Sequence, residues 1–488
     1  MTKARYIASL VLHILIISFS DHLIAQAPYV APTDPLVKEK LARWQDLKFG
    51  LLMHWGPYSQ WGVVESWSIC PEDEDWCRRK PEHGATYNEY VKNYEALQTT
   101  FNPTKFDPDT WARAAKDAGM KYMVFTTKHH DGFCMFDTKT TDYRITSQNT
   151  PFGKHSRANV TKEVFDAFRK QGLWTGAYFS KPDWHSDDYW WRSFPPKDRS
   201  VNYLPTKHPE RWQAFKDYTH NQIEELMSGY GPVDILWLDG GWVRPLSSID
   251  TSVSWQKAIT IEQDIDMKRI ATIARAKQPG LLVVDRTVGG AYENYVTPEG
   301  HVPDADLGVP WETCMPMGTS WSWAPNEKYK STDEIIRTLV SVVSRGGSLL
   351  LNVAPGPDGQ LDSTAYVRLK EVGEWLKVNG EAVYGTQGTT YIVKPNILGC
   401  TQVYRGTHSK EQSTAYLFLE PDKNGEIRLP WWAGAEVKSA SLLANGKQVP
   451  VHLDGTDFVL RLPRSKPSHV SGPMVIKVMY WPLNSPRF

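Results

Sequence analysis

The sequence predicts an α/β fold, a (β/α)8-like barrel followed by a C-terminal antiparallel β-sandwich domain. Short, continuously apolar runs alternate with amphipathic helical stretches between residues 49 and 355. Apolar runs separated by helices are typical of parallel strands whose two faces are both covered. Seven such runs favour a barrel over an open doubly wound sheet. From about Gly385 the runs become short and alternate between apolar and polar residues, which is typical of an antiparallel sandwich.

Each predicted barrel strand is a run of apolar, β-branched or aromatic residues that ends in polar or glycine-rich sequence. The predicted strands are residues 49–55, 122–129, 173–180, 233–239, 280–286, 309–314 and 348–355. The predicted helices between them are residues 107–119, 159–172, 211–229, 263–280 and 333–347. Asp107 and Asn159 stand where N-cap residues belong, and Gly172, Gly229 and Gly280 stand where helices end.

A last predicted helix, residues 363–380, closes the barrel and joins it to the sandwich. The predicted sandwich strands are separated by Gly, Asn and Asp, the usual turn residues, and they cover residues 389–395, 400–406, 413–420, 425–430, 437–446, 447–455, 458–463 and 474–481. We therefore divide the chain into residues 1–27, which precede the folded protein, a barrel at residues 28–384, and a sandwich at residues 385–488.

The composition is that of an ordinary globular protein and argues against two classes of partner. Hydrophobic residues make up 41% of the chain and charged residues 23%, as in most globular proteins. The 55 basic side chains balance 55 acidic ones, so no basic field exists to recruit nucleic acid or an anionic membrane. The count of 21 Trp is unusual. A large core explains it, and aromatic faces that stack on sugars are the alternative explanation.

The first 27 residues have the pattern of a signal peptide. Lys3 and Arg5 precede an apolar run, and small residues follow it up to Ala25 and Ala27. The run is short for a membrane span and is interrupted by His13. We therefore expect an exported protein, periplasmic or extracellular, that has no membrane span once this segment is removed.

The sequence contains five cysteines. Export permits disulfides, and Cys70 and Cys77 are close enough in sequence to pair across the loop between them. The odd count leaves at least one thiol unpaired. The sequence has no C-x-x-C pair and no Cys/His cluster, so a structural zinc site has little support.

Polar and aromatic residues stand where the predicted barrel strands end. The carboxyl ends of barrel strands form the mouth at which ligands bind. Polar and aromatic side chains that converge on one mouth suit a polyhydroxylated ligand. Across seven strand ends these residues are His54, Trp55, His129, His130, Tyr178, Trp237, Asp239, Arg286, Trp311, Glu312 and Asn352.

Carboxyl groups at this mouth are candidates for catalysis. Asp239 ends its strand and precedes two glycines, so its spacing fits a nucleophile, a metal ligand or a helix N-cap. Residues 285–304 form a loop rich in Gly and Pro that contains Glu293 and Glu299. Retaining glycosidases place their two carboxyl groups about 5–5.5 Å apart and inverting ones roughly 6.5–9.5 Å apart. Sequence spacing does not choose between the two glutamates.

Four segments carry a more specific signal: KFGLLMHWGPYS, YMVFTTKHHDGFCMFDTKTTDY, DILWLDGGW and VVSRGGSLLLNVAPGPDGQL. Together, and in this order, they resemble glycoside hydrolase family 29, the α-L-fucosidases, over roughly residues 35–385. The β-rich tail resembles the usual C-terminal domain of that family. The resemblance implies an exo-acting retaining hydrolase that releases terminal α-L-fucose from glycans through a covalent glycosyl-aspartate. It implies a carbohydrate partner and no metal or organic cofactor.

The resemblance also assigns roles to individual residues. Asp239 matches the nucleophile, and Glu299 is the best match for the acid/base, with Glu293 as the runner-up. Arg286 would lie beside Asp239 and help to keep it ionised. The residues that would contact or enclose the sugar are His54, Glu65, Trp67, His129, His130, Tyr178, Trp237, Arg286 and Trp321. Glu65 and Trp67 resemble a Glu-Trp pair of the family, although one residue separates them here.

The paired histidines are therefore expected to hold sugar hydroxyls. Imidazole can donate or accept a hydrogen bond near neutral pH, and both rings can face the mouth where the backbone turns. A metal site is the alternative, but further ligands of matching spacing are not evident. A second alternative is that one of His129 and His130 binds the sugar while the other is buried in the core.

Three other functions remain as alternatives. Leu52 stands where family members often place a Phe against the fucose methyl group, and a smaller side chain leaves room for the extra hydroxyl of L-galactose. Apolar pockets reject an added hydroxyl by only about a hundredfold, so an exo-α-L-galactosidase acting on an L-galactose-containing polysaccharide is an alternative within the same family. The others are an inactive carbohydrate-binding barrel and an unrelated metal-dependent hydrolase.

Overall fold

A computed structural model describes residues 29–71, 77–389, 396–405, 411–420, 425–429, 435–455, 457–462 and 472–482. The predicted signal segment lies outside the described residues, as do most of the loop between Cys70 and Cys77 and most of the first predicted sandwich strand. Both of these cysteines are buried, and their pairing stays a prediction. Among the described residues, the helices are too short or too polar to cross a membrane.

The first unit is a curled sheet of parallel strands. Its strands are β1 (Phe49–Met53), β2 (Tyr122–Lys128), β3 (Trp174–Ser180), β4 (Ile235–Asp239), β5 (Leu282–Asp285), β6 (Glu312–Pro316) and β7 (Ser348–Asn352). They lie in the order β5-β4-β3-β2-β1-β7-β6. Every residue of β1, β2, β5 and β7 is buried, which explains why these strands are continuously apolar. All seven predicted barrel strands are present.

Helices cover the outside of this sheet. They are α1 (Pro35–Leu47), α2 (Tyr87–Glu95), α3 (Pro108–Asp117), α4 (Val160–Lys170), α5 (Pro209–Gly229), α6 (Ser254–Lys257), α7 (Met267–Lys277), α8 (Thr332–Ser344) and α9 (Ser363–Asn379). The side chain of Asp107 accepts a hydrogen bond from the Thr110 N–H and caps α3, as predicted. Asn159 occupies the N-cap position of α4, as predicted, although its side chain makes no capping hydrogen bond.

An irregular segment takes the place of an eighth strand between β5 and β6. Within the described residues the sheet has seven strands, and β5 and β6 are its two edges. Glu293 forms a bridge with Val284 in β5, and Glu299 forms a bridge with Cys314 in β6. The long loop predicted at the mouth is thus attached to both edges. This attachment gives the curled sheet its barrel-like closure.

The second unit consists of two antiparallel sheets. Its strands are β8 (Gln387–Gly388), β9 (Ile397–Val403), β10 (Ser413–Leu419), β11 (Glu426–Leu429), β12 (Ala435–Leu442), β13 (Val451–Asp454), β14 (Asp457–Arg461) and β15 (Met474–Pro482). One sheet has the order β12-β15-β10-β9-β8 and the other β11-β14-β13. Leu417, Leu460 and Ile476 belong to the core between them. The predicted fold class is therefore confirmed, while the domain boundary at residues 384 and 385 stays a prediction.

Gly373 provides a test of the close packing between α9 and α3. A Cβ added there would lie 2.0 Å from the backbone oxygen of Asp117, a contact that no side-chain rotation relieves. Gly→Ala inside a helix ordinarily stabilises by about 1 kcal/mol. Here we expect Gly373→Ala to lower the free energy of unfolding by about 1–3 kcal/mol instead, because one helix must move. Thermal unfolding followed by circular dichroism measures the change.

The matched control is Val367→Ala on the same helix. Val367 is 47% exposed, so its truncation should change the free energy of unfolding by no more than about 0.5 kcal/mol. A melting temperature of Gly373→Ala at or above that of the unsubstituted protein would contradict the predicted contact.

Candidate active site

A cavity of about 520 Å³ lies at the carboxyl ends of the parallel strands. This volume is within the usual range for small-ligand pockets. The sequence-predicted residues that line it come from five strand ends and from the loops that follow them. They are Leu52, His54, Glu65, Trp67, His129, His130, Tyr178, Trp237, Asp239, Arg286, Glu299 and Trp321. Glu293 is not among the lining residues.

The backbone of Asp239 is fixed by its neighbours on both sides. Asp239 is the last residue of β4 and lies opposite Ser180 in β3, and its carbonyl oxygen accepts a hydrogen bond of 2.9 Å from the Lys181 N–H. The next residue, Gly240, has φ +88°, and a Cβ there would lie 2.3 Å from Cδ of Pro182. Glycine is therefore required for this turn. The turn leaves the Asp239 side chain at the cavity.

Two hydrogen bonds stabilise the ionised form of Asp239. Its Oδ1 accepts a hydrogen bond of 3.0 Å from Nη1 of Arg286, and its Oδ2 accepts one of 2.7 Å from the hydroxyl of Tyr178. Nε2 of His130 lies 3.8 Å from Oδ2. Burial alone would raise the pKa of Asp239, but the Arg286 charge and these partners outweigh it and hold the pKa well below its usual value. Asp239 is therefore a carboxylate at neutral pH.

Arg286 contacts a second carboxyl group. Its Nη2 donates a hydrogen bond to Oε2 of Glu299, and its guanidinium lies over the ring of Trp237, 4.9 Å from the centroid. Burial lowers the pKa of Arg286, but the charges of Glu299 and Asp239 raise it well above its usual value. One permanently charged group thus holds two carboxyl groups at one wall of the cavity.

The two candidate glutamates differ sharply in their surroundings. The side chain of Glu299 is 47% exposed at the cavity, and the following Gly300 N–H donates to the carbonyl of Cys314, which ties the segment to β6. Glu293 is completely buried, and its two carboxyl oxygens accept hydrogen bonds from the N–H groups of Thr287 and Gly289. The position of Glu299 suits chemistry on a ligand, whereas Glu293 shapes the loop that follows Arg286.

The turn after β2 directs both adjacent histidines to the cavity. The pairing of β2 with β3 has an irregularity between Thr126 and Lys128, and the Gly132 N–H then donates to the carbonyl of His129 in a tight turn. Adjacent residues of a regular strand would point to opposite faces. Here the two rings lie 4.2 Å apart, and both line the cavity.

His54, His129 and His130 are uncharged at neutral pH. Burial is the main cause in each case: it lowers the pKa of His54 to about 4 and that of His130 to about 3, and it lowers the pKa of His129 well below its usual value. Nδ1 of His54 lies 2.9 Å from Oδ1 of Asn352, whose amide nitrogen donates to the carbonyl of Trp321. Nδ1 of His54 therefore carries the proton, and its Nε2 is an acceptor.

The ESW segment, residues 65–67, brings two side chains that are separated in the sequence to the same cavity. Glu65 and Trp67 line it, while Oγ of the intervening Ser66 lies 2.6 Å from Nδ1 of His129. Glu65 has φ +33°, and its Oε1 is buried with no hydrogen-bond partner among the described residues. Burial, together with the charges of Glu299 and Asp239, raises the pKa of Glu65 to about 8. Glu65 is therefore protonated at neutral pH and able to donate a hydrogen bond.

A metal site was one alternative for the histidine pair. Ligand atoms of His129, His130 and Asp239 lie within 4.8 Å of one another. However, one oxygen of Asp239 already accepts from the cationic Arg286 and the other from Tyr178. A fixed positive charge at this distance opposes a second cation. The arrangement favours a neutral, hydroxyl-bearing ligand, and the absence of a metal cofactor stays a prediction.

Some predicted strand-end residues support the cavity without lining it. Glu312 is buried, and its carboxyl oxygens accept hydrogen bonds from the hydroxyl of Tyr122 and from Nε1 of Trp237. Asn352 orients His54. Trp55 is buried, and its Nε1 donates to the carbonyl of Gly356. These residues hold the side chains that line the cavity in place.

Several lining residues were not singled out by the sequence. They are Arg199, Gly241, Trp242, Trp255, Thr287, Thr297, Pro298, His301 and Cys314. Trp242 stands three positions after Asp239, so its proximity was the one signal available. The others lie on loops, except Trp255 on the short helix α6 and Cys314 in β6, and loops have no periodicity that would indicate which side chains face the mouth.

The protein matches a family model described as alpha-L-fucosidase over residues 16–381. An alpha-L-fucosidase of Branchiostoma floridae is 28% identical over 381 residues, which cover 74% of this chain and 76% of that protein. The human tissue alpha-L-fucosidase is 28% identical over 433 residues, which cover 83% and 82% of the two chains.

Solved structures of fucosidases have the same fold. Alpha-L-fucosidase isoenzyme 1 from Paenibacillus thiaminolyticus superposes with a TM-score of 0.72 at 28% identity, covering 91% of this chain and 99% of that one. Thermotoga maritima alpha-fucosidase in complex with a mechanism based inhibitor gives a TM-score of 0.65 at 25% identity, covering 92% and 100%. Since the family model spans most of the barrel, this chain belongs to the alpha-L-fucosidase family, glycoside hydrolase family 29.

Proposed function

We propose that this protein is an exo-acting, retaining α-L-fucosidase that releases terminal α-L-fucose from glycans. The observation that carries the proposal is the arrangement of Asp239, Arg286 and Glu299. An ionised carboxylate and a half-exposed carboxyl group are held by one guanidinium at the wall of a sugar-sized cavity. Family membership adds the substrate class.

In the first chemical step, Asp239 attacks the anomeric carbon of the fucosyl unit. Glu299 donates a proton to the glycosidic oxygen, the bond to the leaving sugar breaks, and a glycosyl-aspartate ester forms. In the second step, the Glu299 carboxylate removes a proton from water as the water oxygen attacks the anomeric carbon. The ester breaks, Asp239 is regenerated, and fucose leaves with its configuration retained.

The remaining cavity residues bind and orient the sugar. Neutral His54 offers Nε2 as an acceptor, and protonated Glu65 offers a donor at the same cavity. Trp237 and Trp321 supply apolar walls. The hydroxyl of Tyr178 donates a hydrogen bond to Oδ2 of Asp239 and fixes the orientation of the carboxylate. Neutral hydrogen-bonding groups suit sugar hydroxyls because they add no charge that would compete with Arg286 for the two carboxyl groups. We further propose that the mature protein is exported and acts without a metal or organic cofactor.

Hydrolysis of an aryl α-L-fucoside tests the proposed function directly. We expect the purified protein to hydrolyse it in preference to the matching aryl α-L-galactoside. Asp239→Asn should lower the turnover rate by more than about a thousandfold, because it removes the nucleophile. Circular dichroism should show that the variant is folded. Undiminished turnover by Asp239→Asn would reject its role, and a preference for the galactoside would make the protein an α-L-galactosidase.

The assignment of Glu299 as acid/base is tested by the dependence on the leaving group. We expect Glu299→Ala to slow hydrolysis of a fucosylated disaccharide by roughly 10²–10⁴-fold and to slow a nitrophenyl fucoside less, because nitrophenolate leaves without a proton. Azide should partly restore the rate with the nitrophenyl substrate and yield fucosyl azide of retained configuration.

The control for this assignment is Glu293→Gln, which keeps an oxygen to accept a loop N–H. Its rates on both substrates should remain close to those of the unsubstituted protein. Loss of disaccharide hydrolysis in Glu293→Gln together with full activity of Glu299→Ala would transfer the acid/base role to Glu293.

The raised pKa of Glu65 predicts that kcat/KM decreases at alkaline pH. Below about pH 8 its carboxyl group is protonated and donates to the sugar, and above that pH it becomes an anion that faces two other carboxyl groups. We therefore expect kcat/KM for the aryl fucoside to fall as the pH rises through about 8. Glu65→Gln, which stays neutral, should lose this decrease. An unchanged alkaline decrease in Glu65→Gln would show that another group causes it.

A further inference from the structure

Trp255 differs from the other tryptophans that line the cavity. It is 43% exposed, whereas Trp237 and Trp242 are buried in the wall and Trp67 and Trp321 are partly buried. It lies on the short helix α6 after the turn that follows Asp239, and it contributes to the lining of the same cavity. A large aromatic side chain that stays exposed at the rim of a ligand site is a candidate binding surface, because Trp pairs a large apolar face with a polar N–H.

A buried arginine holds this tryptophan in place. Arg244 is 1% exposed, and its guanidinium lies over the ring of Trp255, 5.4 Å from the centroid. Nη1 of Arg244 donates a 2.7 Å hydrogen bond to the side-chain oxygen of Gln256, which is itself buried. The Trp255 ring is thus supported by a cation on a fixed hydrogen-bonded frame, so little side-chain entropy is lost when a ligand stacks on it.

The same arginine links the rim to the catalytic loops. Nε of Arg244 donates a 2.5 Å hydrogen bond to the carbonyl of Gly241, two residues after Asp239. Its Nη2 donates to the carbonyl of Thr287, next to Arg286. The position of Trp255 is therefore fixed relative to both Asp239 and Arg286. Such a rigid placement is what a binding subsite next to a reacting bond requires.

We propose that Trp255 is the stacking platform for the sugar that leaves, a neutral pyranose joined to the fucosyl unit. The histidines, Glu65 and Tyr178 lie on buried parts of the cavity and take the terminal sugar, whereas Trp255 lies at the exposed rim, where the rest of the glycan must pass. An indole face offers apolar area and a negative quadrupole to the C–H face of a pyranose. This inference rests on the proposed function.

The test compares two fucosyl donors that differ in the leaving group. A fucosylated disaccharide places a pyranose on Trp255, and α-L-fucosyl fluoride places none there. We expect Trp255→Ala to lower kcat/KM for the disaccharide about fivefold to tenfold, the effect of losing one aromatic contact of about 1–1.4 kcal/mol. The value for the fluoride should change by less than about twofold. Trp255→Phe should recover most of the loss.

The control is Phe194→Ala, which removes a 46% exposed aromatic side chain that does not line the cavity. It should leave both substrates unaffected. Equal losses on both substrates for Trp255→Ala, or no loss on either, would overturn the subsite. Fucosyl fluoride that is not hydrolysed by the unsubstituted protein would instead overturn the proposed function itself, so the two failures are distinguishable.

Discussion

The site depends on the side chain of Arg286, whose guanidinium donates one hydrogen bond to Asp239 and another to Glu299. Two carboxylates in a partly dry cavity would repel each other, and burial alone would raise the pKa of Asp239. A guanidinium solves both problems because its planar fork offers separate nitrogens to the two partners while its charge does not titrate. Arg286 itself follows β5 directly, and the preceding Asp285 forms a buried ion pair with Lys181 at the end of β3. That ion pair joins the end of β3 to β5 across β4, the strand that carries Asp239.

The incomplete sheet explains how a loop glutamate can face a strand aspartate. Here the segment that bears Glu299 is bridged to β6, while Glu293 at its other end fastens the loop behind Arg286 through Thr287 and Gly289. The two glutamates that sequence spacing left equivalent thus have complementary tasks. One is exposed to the cavity, and the other stabilises the backbone that brings it there.

Most of the fold and the inner site followed from the sequence because they depend on strands. Continuous apolar runs located all seven parallel strands, and the residues at their ends, such as Tyr178 and Asp239, fall at the cavity by the geometry of the sheet. The choice of Glu299 over Glu293 required burial and hydrogen bonds that only the folded loop supplies. Arg244 and Trp255 were missed for the same reason, since tertiary contacts rather than periodicity place them. Helices α1, α2 and α6 went unpredicted, although Asp34 and Thr86 cap the first two.

The ESW segment, residues 65–67, shows how backbone strain brings two side chains that are separated in the sequence to one cavity. Glu65 adopts a left-handed φ of +33°, a conformation that costs a non-glycine residue about 1–3 kcal/mol. The strain lets Ser66 turn to the ring of His129 while the side chains on either side of it reach the cavity. Ser66 Oγ also accepts a hydrogen bond from the Asp131 N–H, so Ser66 ties this segment to the turn that carries His129 and His130. Ser66 therefore links two parts of the cavity wall, and its contacts help to offset the strain at Glu65.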